Sequence, residues 1–126
     1  MVKIVILDRL TLGKDLDISG AAKFGEVIVY DKTEPYEIEE RIKDADAIFV
    51  NKLKLNRDNL KGADNLKIIC EAATGYDNID LEYCREKNIA VCNVPAYSVY
   101  SVAQVTVSMV LSLANHLKEY NKSVSD

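Results

Sequence analysis

The sequence is poor in the side chains that most nucleophilic and metal chemistry requires. Its 126 residues include no tryptophan and one histidine, His116, which stands apart from any Ser, Asp or Cys arrangement. We therefore interpret His116 as a helix-end residue, and we expect neither a catalytic triad nor a metal site. The three cysteines form no C-x-x-C pair. Cys70 and Cys92 lie in apolar segments, which favours reduced core thiols and a cytoplasmic location.

Long hydrophobic runs and clusters of basic residues are also missing. The most apolar stretch, residues 102–117, is interrupted by polar side chains such as Gln104 and Ser108, which is typical of a buried helix rather than a membrane span. The N-terminal apolar run meets Asp8 too early for a secretory signal. Sixteen basic and twenty acidic residues give a net charge of −4, and the basic ones are scattered. We expect neither nucleic acid nor a membrane as a partner.

What the sequence does contain is a regular alternation of apolar runs and helical spacing. Runs rich in β-branched residues predict five strands, at residues 2–7, 26–30, 46–50, 66–70 and 89–93. Helical segments are predicted between them, at residues 17–23, 36–43, 57–60 and 81–87, the last capped by Asp80. Strict alternation favours right-handed βαβ units. The predicted fold is α/β: a flavodoxin-like, doubly wound, parallel five-stranded sheet with helices on both faces.

A long apolar helix is predicted to follow the fifth strand. Ser101 and Gln104 near its start have the spacing of a capping box. Beyond them two adjacent apolar stripes cover so much of the helix that we expect contact with another domain or subunit, the alternative being a central core helix without a partner. We predict a ligand-binding domain over residues 1–97, a helix over 98–120 and a tail over 121–126.

Two loops at the carboxyl ends of neighbouring strands are the best candidates for a ligand site, because ligands bind at this edge of open parallel sheets. They are residues 73–78 and residues 93–97. Gly75 allows close backbone approach, so that the amides of Gly75 and Tyr76 converge on a carboxylate. The alternative is that Gly75 only makes a turn, tied down by Asp77 and Asn78.

Other ligand-binding proteins of this topology fit poorly. A receiver domain has a phosphorylatable aspartate after its third strand and a lysine after its fifth, where this sequence has Asn51 and Asn93. A flavodoxin carries a Ser-, Thr- and Gly-rich phosphate loop after its first strand. The residues after Asp8 match neither that loop nor a nucleotide-binding P-loop.

The two loops resemble those of the D-isomer-specific 2-hydroxyacid dehydrogenases, in particular the glycerate dehydrogenase and hydroxypyruvate reductase branch. The similar stretches are Asn51-Lys52, A-A-T-G-Y-D-N-I-D over residues 72–80, and N-V-P-A-Y-S-V-Y-S-V-A-Q over residues 93–104. Their order and spacing, with the strand pattern, extend the resemblance over essentially the whole sequence. It implies the N-terminal substrate-binding domain of such an enzyme.

The resemblance also implies roles for individual residues. Substrate contacts are expected from Leu53 at the pocket rim, from Tyr97, and from the loop that offers its backbone amides to the substrate carboxylate. That loop consists of Thr74, Gly75 and Tyr76. Thr74 and Gly75 are further expected to border the nicotinamide.

The resemblance also implies that the helix over 98–120 lies between two domains and contributes one contact to the cofactor. This contact is Thr106, at a position that touches the dinucleotide in the family. The expected cofactor of the full-length parent is NAD(P), and the expected partners are a small 2-hydroxy or 2-keto acid, a Rossmann domain and a second copy in a homodimer.

The sequence departs from the family in lacking the G-x-G-x-x-G motif and the catalytic Arg, Glu and His that the family carries in its Rossmann domain. We therefore expect no catalytic residues in this chain, no stable cofactor binding and no activity by the chain alone. Two alternatives are a free-standing domain that binds a small carboxylate and a dimerisation module without catalysis.

Overall fold

A five-stranded parallel sheet forms the first of two compact units, Met1–Pro95, in the computed structural model, which describes residues 1–13 and 15–125. The strand order is β2-β1-β3-β4-β5, and every neighbouring pair is parallel. The strands are β1 (Lys3–Ile6), β2 (Glu26–Val29), β3 (Ala47–Val50), β4 (Ile68–Glu71) and β5 (Ala90–Cys92). The predicted α/β sheet is confirmed.

The apolar strands form the core because their side chains alternate between two faces. Val5, Ile48 and Ile69, from the three central strands, are fully buried on one face. Three helices pack against this face and contribute further buried side chains to the same cluster. They are α1 (Ile38–Ile42), α2 (Arg57–Leu60) and α3 (Leu81–Glu86).

The opposite face of the sheet carries the first connection of the chain. Because the strand order reverses on either side of β1, right-handed crossovers place this connection on the face away from α1. It contains two 3-10 helices, Arg9–Leu12 and Ser19–Lys23, where the sequence predicted only a helix over 17–23. An open groove of ≈ 680 Å³ lies between this connection and the sheet, and Phe49 in its lining is 37% exposed.

The cap predicted for α3 is observed, whereas the helix predicted over 36–43 begins differently. The carboxylate of Asp80 accepts a hydrogen bond from the amide of Tyr83 at 3.0 Å, as predicted for the start of α3. The predicted helix over 36–43 is composed of a 3-10 turn, Pro35–Glu37, followed by α1. The turn allows Glu34 and Glu37 to form a reciprocal capping box.

The second compact unit, Ala96–Asp126, is helical, and it corrects three expectations. The predicted single helix is two, α4 (Val99–Ala114) and α5 (Leu117–Ser125), separated at His116, whose φ of 50° is left-handed. The residues predicted as a tail belong to α5 up to Ser125, and residue 126 lies outside the described part of the chain.

The capping box predicted for the long helix is also wrong. The N-cap of α4 is Ser98, and no side chain caps the helix. Ser101 instead donates its hydroxyl to the carbonyl of Ser98 at 3.0 Å, which occupies the side chain within the first turn. Among the described residues, no helix is long and apolar enough to cross a membrane.

The cysteines are free thiols, but their burial differs from the expectation. Cys92 is exposed, because β5 is an edge strand, and Cys70 on β4 is only half-buried. Both lie on the face that α3 does not cover, as their register pairing requires. The buried thiol is Cys84, on the inner side of α3, and burial raises its pKa.

Candidate anion-binding site

The loop after β4 is held to the end of β5 by hydrogen bonds that use its carbonyl groups. The carbonyl of Ala73 accepts from the amide of Val94 at 3.0 Å, and the carbonyl of Thr74 accepts from Nδ2 of Asn93 at 2.8 Å. The hydroxyl of Thr74 donates to the carbonyl of Val94 at 3.0 Å. These three bonds bring the two predicted loops together within the first unit.

The amide groups of the same loop are left unpaired. Among the described residues, the backbone amides of Thr74, Gly75 and Tyr76 have no intramolecular hydrogen-bond acceptor, and all three residues are exposed. The Tyr76 carbonyl accepts from the amide of Ile79 at 3.1 Å. The carbonyls of Ala73, Thr74 and Tyr76 are therefore bonded within the protein, and three exposed amide donors are left available to an anionic ligand.

Gly75 is not required for the turn itself. Of the described glycines, only Gly13 has a positive φ, so another residue can adopt the backbone conformation of Gly75. A Cβ built at Gly75 lies 3.2 Å from Oδ1 of Asp77, closer than most such contacts. A side chain at this position would crowd the Asp77 carboxylate, so glycine leaves a gap there.

The predicted rim residue Leu53 is joined to this loop through Asn78. Nδ2 of Asn78 donates to the carbonyl of Leu53 at 2.9 Å and to Oε2 of Glu71 at 2.9 Å. The backbone carbonyl of Asn78 accepts from the amide of Leu55 at 2.8 Å. Asn78 therefore ties the loop down, as the turn-only alternative predicts for this residue. It does so without bonding to the amides of Thr74 to Tyr76.

Two buried carboxylates lie below the loops. Asp8, at the end of β1, accepts from the amides of Asn51 at 3.1 Å and Lys52 at 2.7 Å, and it links β1 to the end of β3. Glu71 is 1% exposed, and burial raises its pKa, with smaller contributions in the same direction from the carboxylates of Asp8 and Asp77. The hydrogen bond from Asn78 and the charge of Lys52 oppose that shift.

Sequence reasoning missed Glu71 and the pairing of Asn78. The predicted strand ends at Cys70, one residue short, and so leaves Glu71 outside the sheet. The only available signal was an acid directly after an apolar run, which is also what a solvated strand end looks like.

The remaining predicted site residues belong to the second unit. Tyr97 is 66% exposed, and Thr106 donates its hydroxyl to the carbonyl of Val102 at 2.8 Å within α4. Their roles stay predictions. Among the described residues, no three His, Cys, Asp or Glu side chains are grouped so that they could hold a metal ion.

The fold and the strand-end loops place the chain among open parallel α/β proteins, in which ligands bind outside the carboxyl edge of the sheet. The family model of the D-isomer specific 2-hydroxyacid dehydrogenase catalytic domain matches residues 4–125. The chain therefore belongs to this family, as the sequence motifs indicated.

Individual relatives agree with this assignment. The chain is 36% identical to a hydroxypyruvate reductase from Blautia hydrogenotrophica, over 99% of this chain and 40% of that protein. It is 32% identical to a glycerate dehydrogenase from Methylorubrum extorquens, over 97% of this chain and 38% of that protein. The chain thus spans well under half the length of these relatives.

A solved structure gives the same picture. The D-lactate dehydrogenase from Aquifex aeolicus, complexed with NAD and lactic acid, superposes with a TM-score of 0.78 and 31% identity. The match covers 98% of this chain and 37% of that one. An acyclic imino acid reductase complexed with NADPH and D-Arg has a TM-score of 0.83 at 21% identity, and it supports the fold alone.

Proposed function

We propose that this chain is the substrate-binding part of an NAD(P)-dependent D-2-hydroxyacid dehydrogenase. The parent enzyme would transfer a hydride between the nicotinamide and C2 of a small acid that resembles glycerate, hydroxypyruvate or glyoxylate. In this proposal the chain binds the carboxylate of the substrate, and groups outside these 126 residues supply the acid–base chemistry.

The observation that carries the proposal is the row of unpaired amides at Thr74, Gly75 and Tyr76, above carbonyls that are already bonded. A carboxylate accepts several hydrogen bonds at once, so it matches such a row better than a neutral group does. Family membership supports the same ligand class, because the named relatives are hydroxyacid dehydrogenases and reductases. We further propose that Leu53, at the rim of the pocket, and Tyr97 contribute substrate contacts.

The proposed cofactor fits this chain only in part. The sequence has no G-x-G-x-x-G segment to hold a pyrophosphate, so the contacts it offers to NAD(P) are limited. We propose that these contacts come from Thr74, Gly75 and Thr106, of which Thr74 and Gly75 are exposed in the loop. When bound, the nicotinamide supplies or accepts the hydride. The chain alone is not expected to bind NAD(P) stably.

We also propose that α4 mediates a homodimer. The helix has 16 residues and no charged side chain, and its apolar residues, including Val107 and Val110, are more than half exposed. An apolar surface of this extent is typical of a helix that is covered by another molecule or domain.

Binding to the loop can be tested by titrating the ¹⁵N-labelled chain with oxamate, a stable analogue of a 2-keto acid, and following the amide signals by NMR. Two or three charge-assisted hydrogen bonds contribute about 1.5–3 kcal/mol each, and lost freedom costs at least about 4 kcal/mol. We therefore expect a dissociation constant around millimolar or weaker. The amide signals of Thr74, Gly75 and Tyr76 should move most.

The matched controls are glycerol, which lacks a carboxylate, and Gly75→Ala, which places a methyl group beside the amides and near Asp77. Neither glycerol with the unaltered chain nor oxamate with Gly75→Ala should shift the loop signals. Shifts located on another part of the first unit, or equal responses to glycerol and oxamate, would contradict the proposed site.

A further inference from the structure

Glu71 is a buried acid at the end of an apolar strand. It is the last residue of β4 and is 1% exposed, beside the fully buried side chains of Val50 and Ile69 in the same sheet. Among the described residues, its Oε1 is the one buried side-chain nitrogen or oxygen atom without a hydrogen-bond partner. Burying such a group costs stability, so its presence calls for a compensating role.

Among the described side chains only Asn78 bonds to Glu71, and its side-chain amide uses both of its N–H groups. Its two N–H groups donate to Oε2 of Glu71 and to the carbonyl of Leu53, both at 2.9 Å. An asparagine amide has two such donors in fixed geometry, so an acceptor on one side orients the donor on the other. Without Glu71, nothing in these contacts would fix the amide plane against Leu53.

The same amide joins two loops. Leu53 follows β3, and Asn78 ends the loop that contains the unpaired amides of Thr74, Gly75 and Tyr76. Two backbone bonds reinforce the junction, from the amide of Leu55 to the Asn78 carbonyl at 2.8 Å and from the amide of Asp80 to the Leu55 carbonyl at 2.9 Å. The side chain of Asn78 thus supplies one of three hydrogen bonds that set the position of residues 74–78, which we call the anion-binding loop, relative to the Leu53 segment.

We propose that Glu71 is a positioning residue for the anion-binding loop. It acts through Asn78, whose side-chain amide it orients so that the loop and the Leu53 segment keep a fixed spacing. The inference rests on the proposed function, since it assigns Glu71 to the same carboxylate site. Glu71 itself lies below the loop and is not assigned a contact with substrate.

The test compares Glu71→Gln, which keeps an oxygen acceptor for Asn78, with Glu71→Leu, which removes it. In spectra without ligand, Glu71→Leu should shift and broaden the amide signals of Leu53 and residues 74–78, and Glu71→Gln should restore the wild-type pattern. Oxamate affinity should fall by about five-fold or more in Glu71→Leu and stay within about two-fold in Glu71→Gln.

Two further variants keep the test decisive. Asn78→Ala leaves Glu71 in place and should reproduce the loop changes of Glu71→Leu, which covers the case that Glu71→Leu does not fold. Thr33→Val removes another buried polar group at the same edge, one that bonds the Leu7 carbonyl outside both loops. It should lower stability and leave the loop signals unchanged.

The inference is overturned if Asn78→Ala leaves the signals of Leu53 and residues 74–76 at their wild-type positions, or if Glu71→Gln disturbs the loop as much as Glu71→Leu does. These readings need no ligand. A wild-type chain that fails to bind oxamate would overturn the proposed function instead, so the two failures are distinguishable.

Discussion

At the scale of single residues, the buried acid Glu71 links the stability of the fold to its protonation. Burial is the largest cause that raises its pKa, and the nearby carboxylates of Asp8 and Asp77 add to it. The folded protein therefore holds this proton more tightly than the unfolded chain does. The stabilising contribution is present at low pH and is lost as the pH rises through the folded-state pKa of Glu71.

Glu71→Gln should consequently raise the free energy of unfolding at pH 7, because glutamine does not ionise and still accepts from Asn78. The gain should shrink as the pH falls toward the ordinary pKa of a glutamate, where both proteins carry a neutral side chain. Urea unfolding at several pH values measures the difference. A gain that is the same at every pH would show that charge is not the cause.

Asn78 and Glu71 show which contacts of single residues the sequence predicts and which it does not. Asn78 belongs to a turn-like stretch, and a tie from its side chain to the loop is one of the two alternatives that the sequence offers, because Asp and Asn often bond to nearby backbone. Its actual partners, Leu53 and Glu71, are 25 and 7 residues away. Such partners follow from strand order and register, which a local pattern does not contain.

At the scale of secondary-structure elements, prediction succeeded where periodicity was strong. The five apolar runs became the five strands, since runs of β-branched side chains favour strands of a parallel sheet. It failed at the end of α4. There His116 takes a left-handed φ of 50°, which interrupts the predicted continuous helix, and the Leu111 carbonyl accepts from both the backbone amide and Nδ2 of Asn115.

The exposed apolar surface of α4 leads to a prediction about assembly. Val107→Asp places a charge within this surface and should convert a concentration-dependent dimer into a monomer, because an interface excludes an unpaired charge. Sedimentation velocity at several concentrations measures the change. Ser108→Asp, one position along the same helix at a polar residue, should alter the dimer less.

A wild-type chain that sediments as a monomer at all concentrations would contradict the proposed dimer. The same result for wild type and Val107→Asp, both dimeric, would place the interface elsewhere on the chain.

At the scale of the whole molecule, the chain spans about 40% of the hydroxypyruvate reductase it matches. We expect these 126 residues alone to show no turnover of hydroxypyruvate or glyoxylate with NADH, since we assign no acid–base group to the candidate site. The measurement is the loss of NADH absorbance, with a full-length relative as the positive control. Turnover above the enzyme-free rate that Gly75→Ala abolishes would show that the chain carries catalytic groups of its own.

The three hydrogen bonds that tie Ala73 and Thr74 to Asn93 and Val94 affect the entropy cost of binding a ligand at this loop. Because these bonds lie within one compact unit, they hold the loop in place without a ligand. Little ordering entropy remains to be lost on association, so the free energy of each new contact is retained as affinity. We therefore expect the loop to prefer carboxylates over neutral ligands even when its affinity is low.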